Sequence, residues 1–500
     1  MSRSDPENED DAHRMVVRGA LATGAGFLVK LGARLGFLLI AGRLFGAATF
    51  GAYSIGVAAV ESGVGLAGLS LKKVIFQLLD ANVAAGETPA THVVADAAML
   101  VLLASTALAA TIMTVTALAA GHIPFEGAPA ALFWLAPMIA GQTLVDVMLA
   151  ASRWRHAIRY EVVGRSIVEP YTQLAVAAAG WWAGVPGWAL IAGYWAGNFG
   201  VNAYALAGLR RCFGPLQLAS YRPEPRRLLA IARSLIPNTA TDLLSGIYTR
   251  ADLYIVGALL GARWAGIYSM AQQVRTPLRQ VRQSFDGLLV PLVARTLAER
   301  GPAATARAIA AAVRFLLAVQ MPFLLAIVAF GRPLLGAFGT GFERGYAALA
   351  LLAAAEALQG SLGLGDLLFT YLLPGAGLRM AAIAFSAGIA LVLLLTPLLG
   401  IAGAAAAMLV ATVLQAALRR RTLSARLAHR MPVAFGAPPV LAGLAALGMT
   451  LVLRGPVATI RFTLADAALL AAGLGLYALL LAGWLRWSGE RLSMTGLSTG

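Results

Sequence analysis

Long apolar runs separated by short, turn-like breaks make up the chain, and within the runs apolar positions are continuous rather than alternating. A bilayer core takes about 20 mostly apolar residues per helix. Runs of that length predict membrane-spanning helices near 18–43, 50–69, 93–119, 130–151, 162–183, 187–208, 229–260, 264–294, 308–330, 346–372, 378–397, 401–418, 438–453 and 464–485. Membrane β-barrels instead read as alternating segments of about ten residues. The expected fold class is an all-α polytopic membrane protein with about 14 transmembrane helices.

The polar positions inside the runs are not scattered. Span eight carries Gln272, Arg275, Arg279, Arg282 and Asp286 at spacings of three or four, which places them on one helix face. Span seven has a matching stripe in Asn238, Asp242, Ser245, Thr249 and Asp252. Span one adds Lys30 and Arg34, span two Glu61, span four Gln142 and Asp146, span five Arg165 and Glu169, and span ten Glu356, Gln359 and Asp366. An ionisable group at the bilayer centre costs about 2.5–3.5 kcal/mol and faces a partner or a water-filled cavity. The expectation is a central cavity with Lys30, Arg34, Arg165, Arg275, Arg279 and Arg282 as its cations. Glu61, Asp146, Asn238, Asp242, Asp252, Gln272, Glu356 and Asp366 are its polar groups or candidates for H+ or Na+ coupling. Arg165 and Glu169, four apart, read as a local ion pair. Three arginines at this spacing repel one another, and no neighbouring acid run neutralises them.

The runs also repeat. Gly42–Ser54, GRLFGAATFGAYS, aligns without a gap on Gly257–Ser269, GALLGARWAGIYS, 215 positions later, with seven of thirteen residues identical. Each copy joins two predicted spans, and six spans separate the copies, so the halves share one orientation. This predicts two pseudo-symmetric six-helix lobes, 18–208 and 229–418, joined by a basic linker, 209–228. A basic loop, 419–437, leads to an appended helix pair, 438–486, with cytoplasmic tails at 1–17 and 487–500.

Composition sharpens the reading. The chain is 59% hydrophobic and 12% charged, with a mean hydropathy of +0.76, where soluble domains carry about 25% charged residues. The net charge of +16 is concentrated in alternate loops, from Lys72 and Lys73 through Arg153, Arg155, Arg159, Arg210, Arg211, Arg226 and Arg227 to Arg419, Arg420 and Arg421. That bias puts both termini in the cytoplasm and brings basic loops against anionic lipids; nucleic acid is not an expected partner. Cys212 is the only cysteine, and the five histidines lack metal-ligand spacing, so no metal or cofactor is expected. The sequence also lacks a GxxxxGK[ST] phosphate loop.

Two stretches, ARLGFLLIAGRLFGAATFGAYSIG from Ala33 and SLIPNTATDLLSGIYTRADLYIVGALLGARWAGIYSMA from Ser234, resemble the polysaccharide-transporter branch of the multidrug/oligosaccharidyl-lipid/polysaccharide exporter superfamily, which includes the O-antigen flippases. Pro237, Asp252, the glycine-rich turn and the Tyr268-Ser269 pair carry the mid-chain likeness. The resemblance implies a non-enzymatic flippase of the bacterial inner membrane with two lobes in a V. It would move undecaprenyl-diphosphate-linked oligosaccharide outward by alternating access, as part of polysaccharide synthesis and alongside a polymerase machinery. Arginine suits the diphosphate by its permanent charge and forked donors. The alternatives are an ion-coupled exporter of organic cations, a lipid II flippase, for which the appended helices would form a groove for the lipid tail, and a membrane glycan polymerase or ligase.

Overall fold

The computed structural model describes residues 29, 31–85, 89–119, 127–214, 221–362, 374–427, 437–454 and 463–488. Among them the structure is helical and contains no strand. The chain divides into two compact units, Met1–Arg250 and Ala251–Gly500.

In the first unit a helix from Leu31 passes through a π-turn, Ala41–Phe45, into α1 (Gly46–Ala67). There follow α2 (Leu71–Ala85), α3 (Ala90–Ala119), α4 (Ala128–Leu135), α5 (Met138–Trp154), α6 (Arg159–Val163), a π-turn at Gly164–Val168, α7 (Glu169–Trp182) and α8 (Pro186–Phe213). α1 packs on α4 and α5, α3 on α5, and α5 and α7 on α8. α2 is amphipathic: Leu71, Ile75 and Leu79, four apart, are fully buried in the core of this unit, while Lys72, Lys73 and Gln77 are exposed. α7 and α8 approach closely because Gly197 has no side chain; a Cβ there would lie 2.7 Å from the backbone oxygen of Glu169.

α9 (Pro225–Leu260) runs across the division between the units. The second unit continues with α10 (Ala262–Val274), α11 (Thr276–Ala337, broken at Gly301), a 3-10 turn at Phe342–Gly345, and α12 (Tyr346–Leu362). Next come α13 (Pro374–Leu427, broken at Gly400), α14 (Ala437–Arg454) and α15 (Leu464–Ser488). α12 lies between α11 and α13, and α14 and α15 pack together against α11. Arg454 fastens that pair: its Nε donates to Asp466 at 3.0 Å, a second nitrogen donates to the carbonyl of Ala329, and the guanidinium lies over the Phe330 ring.

The sequence repeat is also a repeat of backbone geometry. Gly46 and Gly261 both break the helix with extended ψ at positive φ (76°, 174° and 86°, 172°), and each amide donates to the carbonyl four residues back, Gly42 and Gly257. Gly127 and Gly341 both start helices in the left-handed region, and Gly184 and Gly400 both have positive φ. The three pairs are 215, 214 and 216 positions apart. These are conformations glycine adopts without steric cost.

Six described helices are long and apolar enough to cross a membrane, or seven if the bent pair α4–α5 is one span, against the 14 expected. The difference has physical causes. Leu31–Ala84 and Ala382–Thr422 run 54 and 41 residues, far beyond the about 20 that one crossing takes, and Gly46 and Gly400 divide them. Large apolar side chains stand exposed along the outside, among them Leu398, Leu479 and Val452 at 70–76%. The chain is a multi-pass membrane protein.

Candidate functional site

Each unit holds a buried cluster of ionisable side chains. In the second, Pro277 at the start of α11 has no amide hydrogen and cannot continue α10, so the helix breaks at Arg275. Arg275, Arg279 and Arg282 follow from this break on one face and converge on a single carboxylate from α12, Glu356, which is 1% exposed. Arg275 Nη1 lies 3.3 Å and Arg279 Nε 3.4 Å from Glu356 Oε2; Arg282 Nε lies 3.7 Å from Oε1. The stripe is thus not left without an acid, as its local sequence suggests: the acid arrives from another helix more than 70 positions later. One turn before Arg275, the neighbouring group is Asp252, also 1% exposed. Tyr268 Oη donates to it at 2.7 Å, Gln272 Nε2 at 2.8 Å and the amide of Leu253 at 2.8 Å. Gln320 Nε2, from the later part of α11, donates to the carbonyl of Leu278 at 3.2 Å and holds the break in place.

The first unit's cluster centres on one arginine. Arg165, in the π-turn before α7, donates to Asp146 at 2.5 Å, Gln142 at 2.6 Å and Glu169 at 3.0 Å. Gln142 Nε2 donates in turn to Glu169 at 2.9 Å, and Lys72 pairs with Asp146 at 3.5 Å. The local Arg165–Glu169 pair is present but is one edge of a larger network. Beside it, Gln173 donates to Tyr53, whose ring meets Phe37 at 5.9 Å and Tyr194 at 6.3 Å. Glu61 pairs with Arg250. A cavity of about 240 Å³ opens here, lined by Glu61, Ser70, Lys72, Lys73, Thr143 and Asp146. At its edge Leu69 and Ser70 both hold positive φ, 50° and 53°, an unusual strain for residues with side chains.

Of the residues picked from sequence, the structure joins Arg275, Arg279, Arg282 and Glu356 in one cluster. Asp252 and Gln272 form a second, and Arg165 and Asp146 belong to a third. Glu61 lies on the cavity wall, half-exposed. Arg34 is half-buried on the helix before the first π-turn. Lys30, Asp366 and the side chains of Asn238 and Asp242 lie outside the described residues.

Sequence reasoning passed over Asp96. It is buried on α3, a span read as apolar scaffold, and accepts hydrogen bonds from Tyr221 at 2.7 Å and Arg227 at 3.0 Å. These two residues flank the start of α9, so the carboxylate clamps the connector onto the first unit. Burial and the neighbouring carboxylate push the Tyr221 hydroxyl up from the ordinary phenol range, which keeps it a neutral donor.

Comparison with known proteins bears on what these clusters serve. Residues 168–340 match the family model described as polysaccharide biosynthesis protein. No curated protein matches the chain in sequence. The fold is similar to that of a lipid II flippase, MurJ, in an inward-closed conformation, with a TM-score of 0.73 at 13% identity over 93% of this chain and 99% of that one. It is also similar to an inward-facing multidrug resistance MATE family transporter of the MOP superfamily (TM-score 0.63, 12% identity, 79% of this chain and 98% of that one). A MATE transporter in its straight conformation gives 0.55 at 14% identity over 83% and 95%. The family match covers the middle of the chain, and the likeness to the solved structures, at 12–14% identity, is one of fold.

Proposed function

We propose that the protein is a flippase that carries an undecaprenyl-diphosphate-linked oligosaccharide from the cytoplasmic to the periplasmic leaflet of a bacterial inner membrane, by alternating access. In this reading 14 spans form two six-helix lobes and an appended pair, with both termini in the cytoplasm. The observation that carries it is the convergence of Arg275, Arg279 and Arg282 around one carboxylate. Three forked cations gathered on one helix face suit a ligand that brings concentrated negative charge, and a diphosphate does. Arg279, whose side chain is 32% exposed, is the most accessible of the three. The lipid tail stays in the bilayer while the headgroup is held.

The test is flipping of a fluorescent isoprenyl-diphosphate glycan in proteoliposomes. Arg279→Ala is expected to lower the rate about tenfold or more, the worth of one hydrogen bond between charged groups, with unchanged insertion and thermal stability. Full activity of the variant would remove the arginine cluster from substrate handling.

A second reading, export of organic cations, is favoured by Asp252, a buried carboxylate whose named partners Tyr268, Gln272 and the Leu253 amide are neutral donors. A lipophilic cation that binds the purified protein and is lost in Asp252→Asn, with no diphosphate binding, would select it.

A further inference from the structure

The end of α5 builds a pocket whose lining shares no residue with the clusters above. The amides of His156 and Ala157 donate to the carbonyls of Arg153 and Ser152 at 2.9 and 3.1 Å, the pair of bonds that closes a helix when the residue after its last turn is left-handed. His156 takes that place, with a φ of 59°. The turn fixes Trp154 and Arg155 against the last turn of α8. The Trp154 ring stacks on Phe213 at 6.2 Å and 13°, and the guanidinium of Arg155 lies over both rings, 5.7 and 5.3 Å from their centroids. At its edge the same indole donates from Nε1 to Asp80 Oδ1 at 2.7 Å, which ties in the end of α2. Asp80, Trp154, Arg155 and His156 line an open cavity of about 560 Å³, within the about 300–1,000 Å³ of ligand pockets. Asp80 and Arg155 are both exposed, yet neither forms a salt bridge, with the other or with any other group among the described residues. Trp154 keeps them apart, the cation on its face and the carboxylate at its edge.

We propose that this pocket holds the head group of a phosphatidylethanolamine from the surrounding bilayer, with its phosphate on Arg155 and its ammonium on Asp80. A ligand that carries both charges bridges two groups that do not reach each other. A purely anionic ligand would leave Asp80 opposed, and a purely cationic one Arg155. His156, exposed on the same wall, adds an N–H donor. A lipid fits better than a soluble ligand because the chain is a multi-pass membrane protein and Ile158, two residues beyond His156, is 54% exposed. Apolar surface beside paired charges is what a head group and its acyl chains meet together. The site requires a bilayer around the protein and no particular cargo, so it stands apart from the flippase reading.

The test titrates two short-chain lipids into the purified full-length protein in detergent: phosphatidylethanolamine, and phosphatidylglycerol, which keeps the phosphate and lacks the ammonium. Wild type is expected to bind the ethanolamine lipid about fivefold tighter, the worth of one exposed ion pair. Net attraction to a basic surface favours the anionic glycerol lipid, so this preference cannot come from overall charge. Asp80→Asn, which keeps an acceptor for the Trp154 indole, should erase the preference by weakening the ethanolamine lipid alone. Arg155→Gln should weaken both lipids about tenfold. Arg211→Gln removes an exposed charge of the same sign that lies outside the pocket lining, and should change neither. Equal or weaker binding of the ethanolamine lipid by wild type would overturn the proposal before any variant is made, leaving a plain anion site if Arg155→Gln still weakens both lipids. An equal loss in Arg211→Gln would reduce the binding to surface electrostatics. Phosphoethanolamine without acyl chains is titrated as well, and should bind more weakly than the lipid; equal affinity would assign the pocket to a soluble ligand and overturn the lipid.

Discussion

At corresponding addresses in the two units, counted from the left-handed helix starts at Gly127 and Gly341, stand an amide and a carboxylate: Gln142 and Glu356, each fifteen residues on. Around Gln142 one arginine is held by two acids at short distances. Around Glu356 one acid is shared by three arginines at long ones. The backbone frame is shared, and the residue at the shared address differs in charge. A cation surrounded by acids at hydrogen-bonding distance is committed to its partners, whereas a carboxylate spread over several guanidiniums is not. The comparison separates two roles that composition alone merges: Arg165 as a brace between α5 and α7, and the arginines of the second unit as a surface for an anion.

The largest expected effect tests the first half of that contrast. Arg165→Ala takes the arginine from Glu169 and leaves Asp146 with the longer 3.5 Å contact to Lys72, and breaking a buried pair costs about 3–5 kcal/mol. The side chain is about a quarter exposed, so about 2–3 kcal/mol is a fair expectation. Thermal unfolding of the purified protein should show a drop of several degrees, in contrast to Arg279→Ala, which should alter binding and leave stability near wild type. If instead Arg165→Ala is stable and loses diphosphate binding, Arg165 belongs with the substrate cations and the contrast between the units dissolves.

How far this was readable in advance follows from what each feature depends on. Helices, their breaks and the repeat depend on local chemistry, namely apolar run length, glycine and proline, and the paired glycine breaks stand within the repeat, whereas the amphipathic α2 and the break at Arg275 inside span eight went unread. Gly46 and Gly261 show it most plainly, since identical neighbours produce nearly identical torsions. The stripe of arginines on one face was legible from spacing, and so was the Arg165–Glu169 pair. The partner of the stripe was not. Glu356 lies 74 to 81 positions from the arginines it meets, and periodicity fixes the face of a helix but not which neighbour that face meets. The same holds for Asp96, a single acid in an apolar span whose partners Tyr221 and Arg227 come from the far side of five further helices.

A smaller effect sharpens the claim that the frame is shared. At both Gly46 and Gly261 an added Cβ would meet no atom within 4 Å, so the cost of alanine comes from the backbone alone. Positive φ with extended ψ is essentially a glycine conformation, worth about 1–3 kcal/mol when another residue is forced into it. Gly46→Ala and Gly261→Ala are expected to lower the unfolding midpoint by similar amounts, and the double variant by their sum, because the sites are distant in sequence and share no described partner. A large difference between the two would mean that only one break is under structural demand.

The smallest effect asks whether charge ratio, rather than frame, divides the units. Gln142→Glu gives the first unit the residue that the second has at the same address. The new carboxylate would face Arg165 favourably but stand within hydrogen-bonding distance of Glu169, from which the amide now draws a bond at 2.9 Å. Attraction to one cation against repulsion from two acids, with the loss of the amide donor, amounts to about 1 kcal/mol of destabilisation. Calorimetric unfolding measures it, and diphosphate binding measured alongside should not change if the anion binds at the second unit's arginines, as proposed. A gain in stability would show that Arg165 has donor capacity to spare. The two clusters would then be variants of one site instead of a brace and a binding surface.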